Sequence, residues 1–89
     1  MYQLEQTGQF KKDIKLAKKK RGLDMQLLDE VVTQLKGALS QKNKPYKLTG
    51  SYIGFWECHI QPDWLLVWEQ NDAIRLITLT RTGTHSDLF

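Results

Sequence analysis

Phe55-Trp-Glu-Cys-His-Ile-Gln-Pro-Asp-Trp-Leu-Leu-Val-Trp-Glu69 is the stretch on which the fold turns. Phe55, Glu57 and His59 alternate with Trp56, Cys58 and Ile60, the period of two that belongs to a strand. Pro62-Asp63 has turn chemistry. Trp64 to Glu69 reads as a second strand, too apolar to be exposed on both faces. Asn71-Asp72 then predicts a hairpin turn, and Ala73 to Thr80, rich in β-branched residues, a third strand.

Upstream the period is helical. Thr7 is a plausible helix cap, with Phe10, Ile14 and Ala17 behind it at helical spacing, and Gly22 suits the left-handed residue that ends a helix. Asp24 offers the next N-cap. Leu28, Val31, Leu35, Ala38 and Leu39 follow in steps of three and four, with Gly37 weakening the run. A connection this short predicts an antiparallel helix hairpin. Gln41 to Thr49 is polar, contains Pro45 and reads as a loop. Residues 2–6 suit a short strand that could join the sheet. The fold class is therefore α+β: an N-terminal helix hairpin packed on a small, mainly antiparallel β-sheet, in one domain over residues 1–89.

The 89 residues carry 13 Lys+Arg and 10 Asp+Glu, a net charge of only +3. The distribution says more than the sum. Lys11, Lys12, Lys15, Lys18, Lys19, Lys20 and Arg21 cluster in eleven positions with Asp13 as the one acid among them. Such a field attracts polyanions; a solvated helix face and a surface for an acidic protein partner are the other readings. Cys58 is the single cysteine, which excludes an intrachain disulfide and fits a reducing cytosol. No apolar run approaches a membrane span, and the first residues lack the apolar core of a signal peptide. The expected location is cytoplasmic, with no membrane partner.

Hairpin topology draws the chemistry-bearing residues together. His59 falls at the end of one strand and Asp63 at the start of the next. Arg81 closes the last strand, antiparallel to the one from Trp64. Asp63, Trp64, His59 and Arg81 should therefore share one sheet edge. Thr82-Gly83-Thr84 lets the chain bend there, with His85 directly after. Two imidazoles, a carboxylate and a fixed cation are the set that RNA cleavage by acid–base chemistry needs. The 2′-hydroxyl must lose a proton, the 5′-oxygen must gain one, and the phosphate needs its growing charge stabilised. Taken singly, each has a plainer reading: a strand histidine, a turn aspartate, a surface ion pair, a silent tail. A metal site from His59, Asp63 and His85 lacks the short fixed spacing of zinc enzymes. Cys58 faces away from His59, and Trp56 and Trp68 read as core. Trp64 and Phe89 are better placed at the site edge, to stack on a base.

Three blocks and the basic first helix carry a family resemblance: Leu48-Thr-Gly-Ser-Tyr52, Glu57-Cys-His-Ile-Gln-Pro-Asp-Trp64 and Arg81-Thr-Gly-Thr-His-Ser-Asp-Leu-Phe89. The chain resembles, over essentially its whole length, the YafQ branch of the RelE-like bacterial toxins. The resemblance implies a compact α+β ribonuclease of the RelE-like microbial type that cuts mRNA in the ribosomal A site, with the 2′-hydroxyl as nucleophile and no cofactor or metal. It implies a toxin, monomeric within a hetero-oligomer, that is neutralised by an antitoxin wrapped around it. The family's catalytic set maps onto His59, Asp63, Arg81 and His85. Trp64 and Phe89 match its supporting aromatics, and Lys11 to Arg21 would contact ribosomal RNA. One position departs: Tyr46, followed by Lys47, stands where this branch usually has histidine and proline. Both are candidate substrate contacts. A phenol with a pKa near ~10 is a poor base at neutral pH. The alternative is thus a catalytically impaired protein of this fold that binds antitoxin or RNA. Tyr46 favours it; His85 and Arg81 oppose it.

Overall fold

The computed structural model describes residues 2–35, 46–48 and 53–88. Strand β1 (Gln3–Gln6) leads into helix α1 (Gly8–Leu16), which widens into a π turn over Ala17–Arg21. Helix α2 (Met25–Leu35), strands β2 (Tyr46–Lys47), β3 (Phe55–Gln61), β4 (Trp64–Asn71) and β5 (Leu76–Gly83), and the short helix α3 (His85–Leu88) follow. The strands form one sheet in the order β1-β5-β4-β3-β2. The β1–β5 pair is parallel and the other pairs are antiparallel.

The predicted caps are in place. Thr7 accepts from the Phe10 N–H at 3.0 Å. Gly22 is left-handed (φ 61°, ψ 30°), and Asp24 accepts from the Gln26 N–H. Both helices cover one face of the sheet. Phe10, Leu28, Val31 and Leu35 pack there with Cys58, Trp64, Leu66, Trp68, Ile77 and Leu79. Trp56 and Trp68 stack at 6.3 Å between centroids. The expected continuation of α2 through Gly37, Ala38 and Leu39 lies outside the described residues.

Two boundaries differ from the sequence-based expectation. Tyr46–Lys47 is not loop but a strand paired with Glu57 and Trp56. The β4–β5 turn is not Asn71-Asp72: β4 runs through Asn71 and the third strand begins at Leu76, so Ala73 lies in the turn. The Asn71 side chain accepts from the Ala73 and Ile74 N–H groups, closing the turn locally, and Arg75 takes a positive φ of 53°. Asn71 thereby outweighs the strand preference of Ile74, which is left 66% exposed. At its other end β5 continues through Arg81, Thr82 and Gly83.

Candidate active site

Alternation in β3 puts Glu57 and His59 on the face opposite the helices. The register carries that face across the sheet: His59 lies opposite Leu65, and Leu65 opposite Gly83. The neighbouring row runs Tyr46, Glu57, Val67, Arg81. An irregularity between His59 and Gln61 ends regular pairing beside the histidine and leads into the Pro62-Asp63 turn.

The bend expected at Thr82-Gly83-Thr84 is a defined turn from β5 into α3. Thr82 and Gly83 are buried within β5. Thr84 and Asp87 then cap one another: the Thr84 N–H donates to Asp87 Oδ2 and the Asp87 N–H to Thr84 Oγ1, each at 3.2 Å. This reciprocal box starts α3. Asp87 folds back so closely on Gly83 that a Cβ there would stand 3.0 Å from the Asp87 Cβ. Glycine at 83 is what lets the turn close, and the turn delivers His85.

His85 arrives beside the two residues expected to meet it. Its ring centroid is 6.3 Å from that of His59, the planes inclined by 47°. Its backbone N–H approaches Asp63 Oδ1 at 3.5 Å, and Nδ1 stands 3.9 Å from the same oxygen. The latter is an electrostatic contact rather than a hydrogen bond. The side chains of His85 and Asp63 are 59% and 76% exposed, open to a large substrate. His59 is half-buried.

Arg81 is held by a partner that the charge pattern of the sequence conceals. Its Nε–H donates to Asp13 Oδ2 at 2.7 Å and an Nη2–H to Asp13 Oδ1 at 3.3 Å. Asp13 also accepts from the Thr82 N–H and from Gln9 Nε2. It is 5% exposed. Counted among the lysines, it looks like part of a solvated face. Its spacing from Phe10 and Ala17, three after the one and four before the other, places it on the inward side of α1, and that spacing is the signal that could have found it.

One expected contact is corrected. Trp64 is 1% exposed and belongs to the core, its indole N–H donating to Thr82 Oγ1 at 2.9 Å. It cannot present a ring face to a base; alternation turns it away from His59. Lys47 is exposed; it pairs with Trp56 and holds its ammonium 5.7 Å from that ring's centroid. Lys11, Lys12, Lys15, Lys18 and Lys19 are exposed along α1 and its π turn. The readings of Phe89 and of the Lys20, Arg21 and Tyr46 side chains lie outside the described residues. Among the described residues no cluster of three or more His, Cys, Asp or Glu is placed to hold a metal ion, and no helix is long and apolar enough to cross a membrane.

Cys58, at the back of the same strand, is buried. Removal from water, with the Glu57 carboxylate beside it, pushes its thiol from 9.0 up to about 12. That is the reverse of what a nucleophilic cysteine needs.

Comparison with known proteins covers essentially the whole length of the chain. Residues 2–89 match the family model for YafQ, a bacterial toxin of a type II toxin–antitoxin system. The mRNA interferase toxin YafQ of Escherichia coli strain K12 is 39% identical over 89 residues, covering 97% of this chain and 94% of that protein. The crystal structure of YafQ from E. coli BL21(DE3) superposes with a TM-score of 0.89 at 37% identity, covering 100% of this chain and 99% of the other. A crystal structure of the E. coli DinJ–YafQ complex matches with a TM-score of 0.87 at 38% identity, over 100% and 99% of the two chains. The fold, the matched length and the identity agree, and the chain belongs to the YafQ family of bacterial toxins.

Proposed function

We propose that this protein is the toxin of a type II toxin–antitoxin pair and acts as a ribosome-dependent endoribonuclease on mRNA in the A site. The observation that carries the chemistry is the approach of His85 to His59 and Asp63, with ring centroids 6.3 Å apart, a spacing on the scale of one phosphodiester. One imidazole takes the proton of the 2′-hydroxyl as its oxygen attacks phosphorus. The other returns a proton to the departing 5′-oxygen. Asp63 orients His85, and Arg81 stabilises the charge that grows on the phosphoryl oxygens. The products are a 2′,3′-cyclic phosphate and a 5′-hydroxyl. The nucleophile belongs to the substrate, so no covalent enzyme intermediate forms. The exposed lysines of α1 dock the protein on ribosomal RNA. The partner is a cognate antitoxin, as DinJ is for its E. coli relative, and the site of action is the cytoplasm, where the ribosomes are.

The test is incubation of the purified protein with ribosomes carrying a defined A-site codon, followed by mapping of the cut and of both new ends. A cut in the A-site codon with those end groups supports the reading. Ribosome binding without a cut supports instead the impaired toxin that Tyr46, at the usual histidine position, favours.

A further inference from the structure

We infer that Asp13 is a positioning residue for the reaction: it fixes the plane of the Arg81 guanidinium and so sets where that cation meets the scissile phosphate. The inference rests on the reading of Arg81 as the charge stabiliser. Three observations support it. First, Asp13 engages Arg81 through Nε and Nη2, two donors on one side of the planar group. Two bonds to a plane remove both its rotation and its tilt, and the Nη1 side is turned away from Asp13. Second, Asp13 is itself immobile. Its carboxylate is 6% exposed and takes N–H bonds from Thr82 and Gln9 besides those of Arg81. A carboxylate so buried is costly unless its oxygens are occupied, and here each oxygen is. Third, the contact stands at the start of the site. Beyond Leu79, β1 no longer pairs with β5. Asp13 takes the place of a strand partner for the Thr82 N–H, next to Arg81 and one residue before the glycine on which α3 turns.

The fold alone needs only an acceptor for Thr82. The side-on grip on Arg81, whose side chain is 34% exposed, is additional. It converts a flexible four-bond side chain into a donor of fixed direction, which is what stabilisation of a phosphorane requires. It also puts the orienting acid on the helix whose outer side carries the docking lysines.

Asp13→Asn keeps shape and one acceptor but sets an NH2 group against N–H donors. Single-turnover cleavage at saturating ribosomes should fall about tenfold to a hundredfold, the scale of a small misplacement. The ribosome concentration for half-maximal rate should change by less than about twofold. Arg81→Ala should lose about 10²–10³-fold, and adding Asp13→Asn to it should change the rate by less than about twofold further. The two effects must overlap if Asp13 acts through Arg81. An Asp13→Asn protein that melts lower but cleaves at the parental rate per folded molecule overturns the inference, as does full additivity in the double variant. A folded Arg81→Ala protein with parental cleavage overturns the reading of Arg81 and the inference with it. Should Asp13→Asn not fold, ¹⁵N relaxation of the Arg81 Nε–H in the parent protein decides. Order close to that of the backbone supports the grip; mobility like that of a surface arginine overturns it.

Discussion

Replacing His85 by alanine should separate chemistry from folding more cleanly than any other change in this chain. The stability cost can be worked from its surroundings. The side chain is 59% exposed, so little apolar surface is lost. Its contact with Asp63 is 3.9 Å long and open to solvent, and such exposed pairs contribute about 0–1 kcal/mol at most. The approach of the backbone N–H to Asp63 survives the substitution. So does the reciprocal cap between Thr84 and Asp87 that starts α3, and alanine is tolerated in a first helical turn. Net destabilisation should stay within about 0.5 kcal/mol. Loss of an acid–base group costs about 10²–10⁴-fold, or about 2.7–5.5 kcal/mol in the barrier. The kinetic loss thus exceeds the folding loss at least about fivefold on these magnitudes. Single-turnover cleavage on programmed ribosomes, equilibrium ribosome association and thermal melting on one preparation measure the three quantities. Cleavage within about threefold of the parent, by a protein with parental melting and association, would remove His85 from the mechanism.

Three further outcomes follow from other parts of the molecule. Thr82→Val leaves the Trp64 indole N–H without its acceptor and the Leu65 carbonyl without one of its donors, in a buried setting. The cost should be about 2–4 kcal/mol in urea unfolding, and a change below about 1 kcal/mol would mean that the network relaxes around the loss. The Cys58 thiol keeps its proton up to about 12 in the folded protein, while an unfolded chain releases it near 9.0. Stability is therefore full below about pH 9 and declines as pH rises toward 12, with a limiting slope of about 1.4 kcal/mol per pH unit. Cys58→Ala should flatten that alkaline decline, and parallel curves for the two proteins between about pH 8 and 11 would refute the account. Replacing Lys11, Lys12, Lys18 and Lys19 by glutamine should lower the salt dependence of ribosome association by about 0.7–0.9 in log–log slope for each phosphate no longer neutralised; an unchanged slope would leave these lysines as solvated surface.

How much of this was legible depended on whether a local pattern had a tertiary competitor. Helices α1 and α2, their caps at Thr7, Gly22 and Asp24, and the β3–β4 hairpin follow from periodicity and turn chemistry alone, and nothing distant opposes them. The start of β5 does not, because Ile74 has strand preference but no place in a ladder. Register there is set by the Asn71 side chain and by β1, whose Gln3 N–H donates to the Arg75 carbonyl. Trp64 misled for a related reason. Asp63 lies in the exposed turn before β4, whereas Trp64 opens the strand on the face opposite to that of Leu65 and His59, so proximity in sequence to a candidate site residue did not keep it out of the core. The ordered tail was readable in principle, since Thr84 and Asp87 have capping-box spacing. The bend expected at Gly83 masked it.

Asp13 shows why charge counting and site reading pull apart in a chain this small. The run from Lys11 to Arg21 looks uniformly basic, yet a helix sorts its residues by angle, not by order. Lys11, Lys12, Lys15, Lys18 and Lys19 take the outer side, where clustered positive charge favours polyanions. The one acid, three residues after Phe10, is turned inward against β5. The same nine-residue helix can thus serve binding on one side and geometry on the other. The two roles predict opposite sensitivities. Loss of an outer lysine should weaken association and leave the rate on bound ribosomes intact, whereas loss of Asp13 should lower that rate and leave association intact. A variant of either kind that moved both quantities together would show that docking and alignment are a single step.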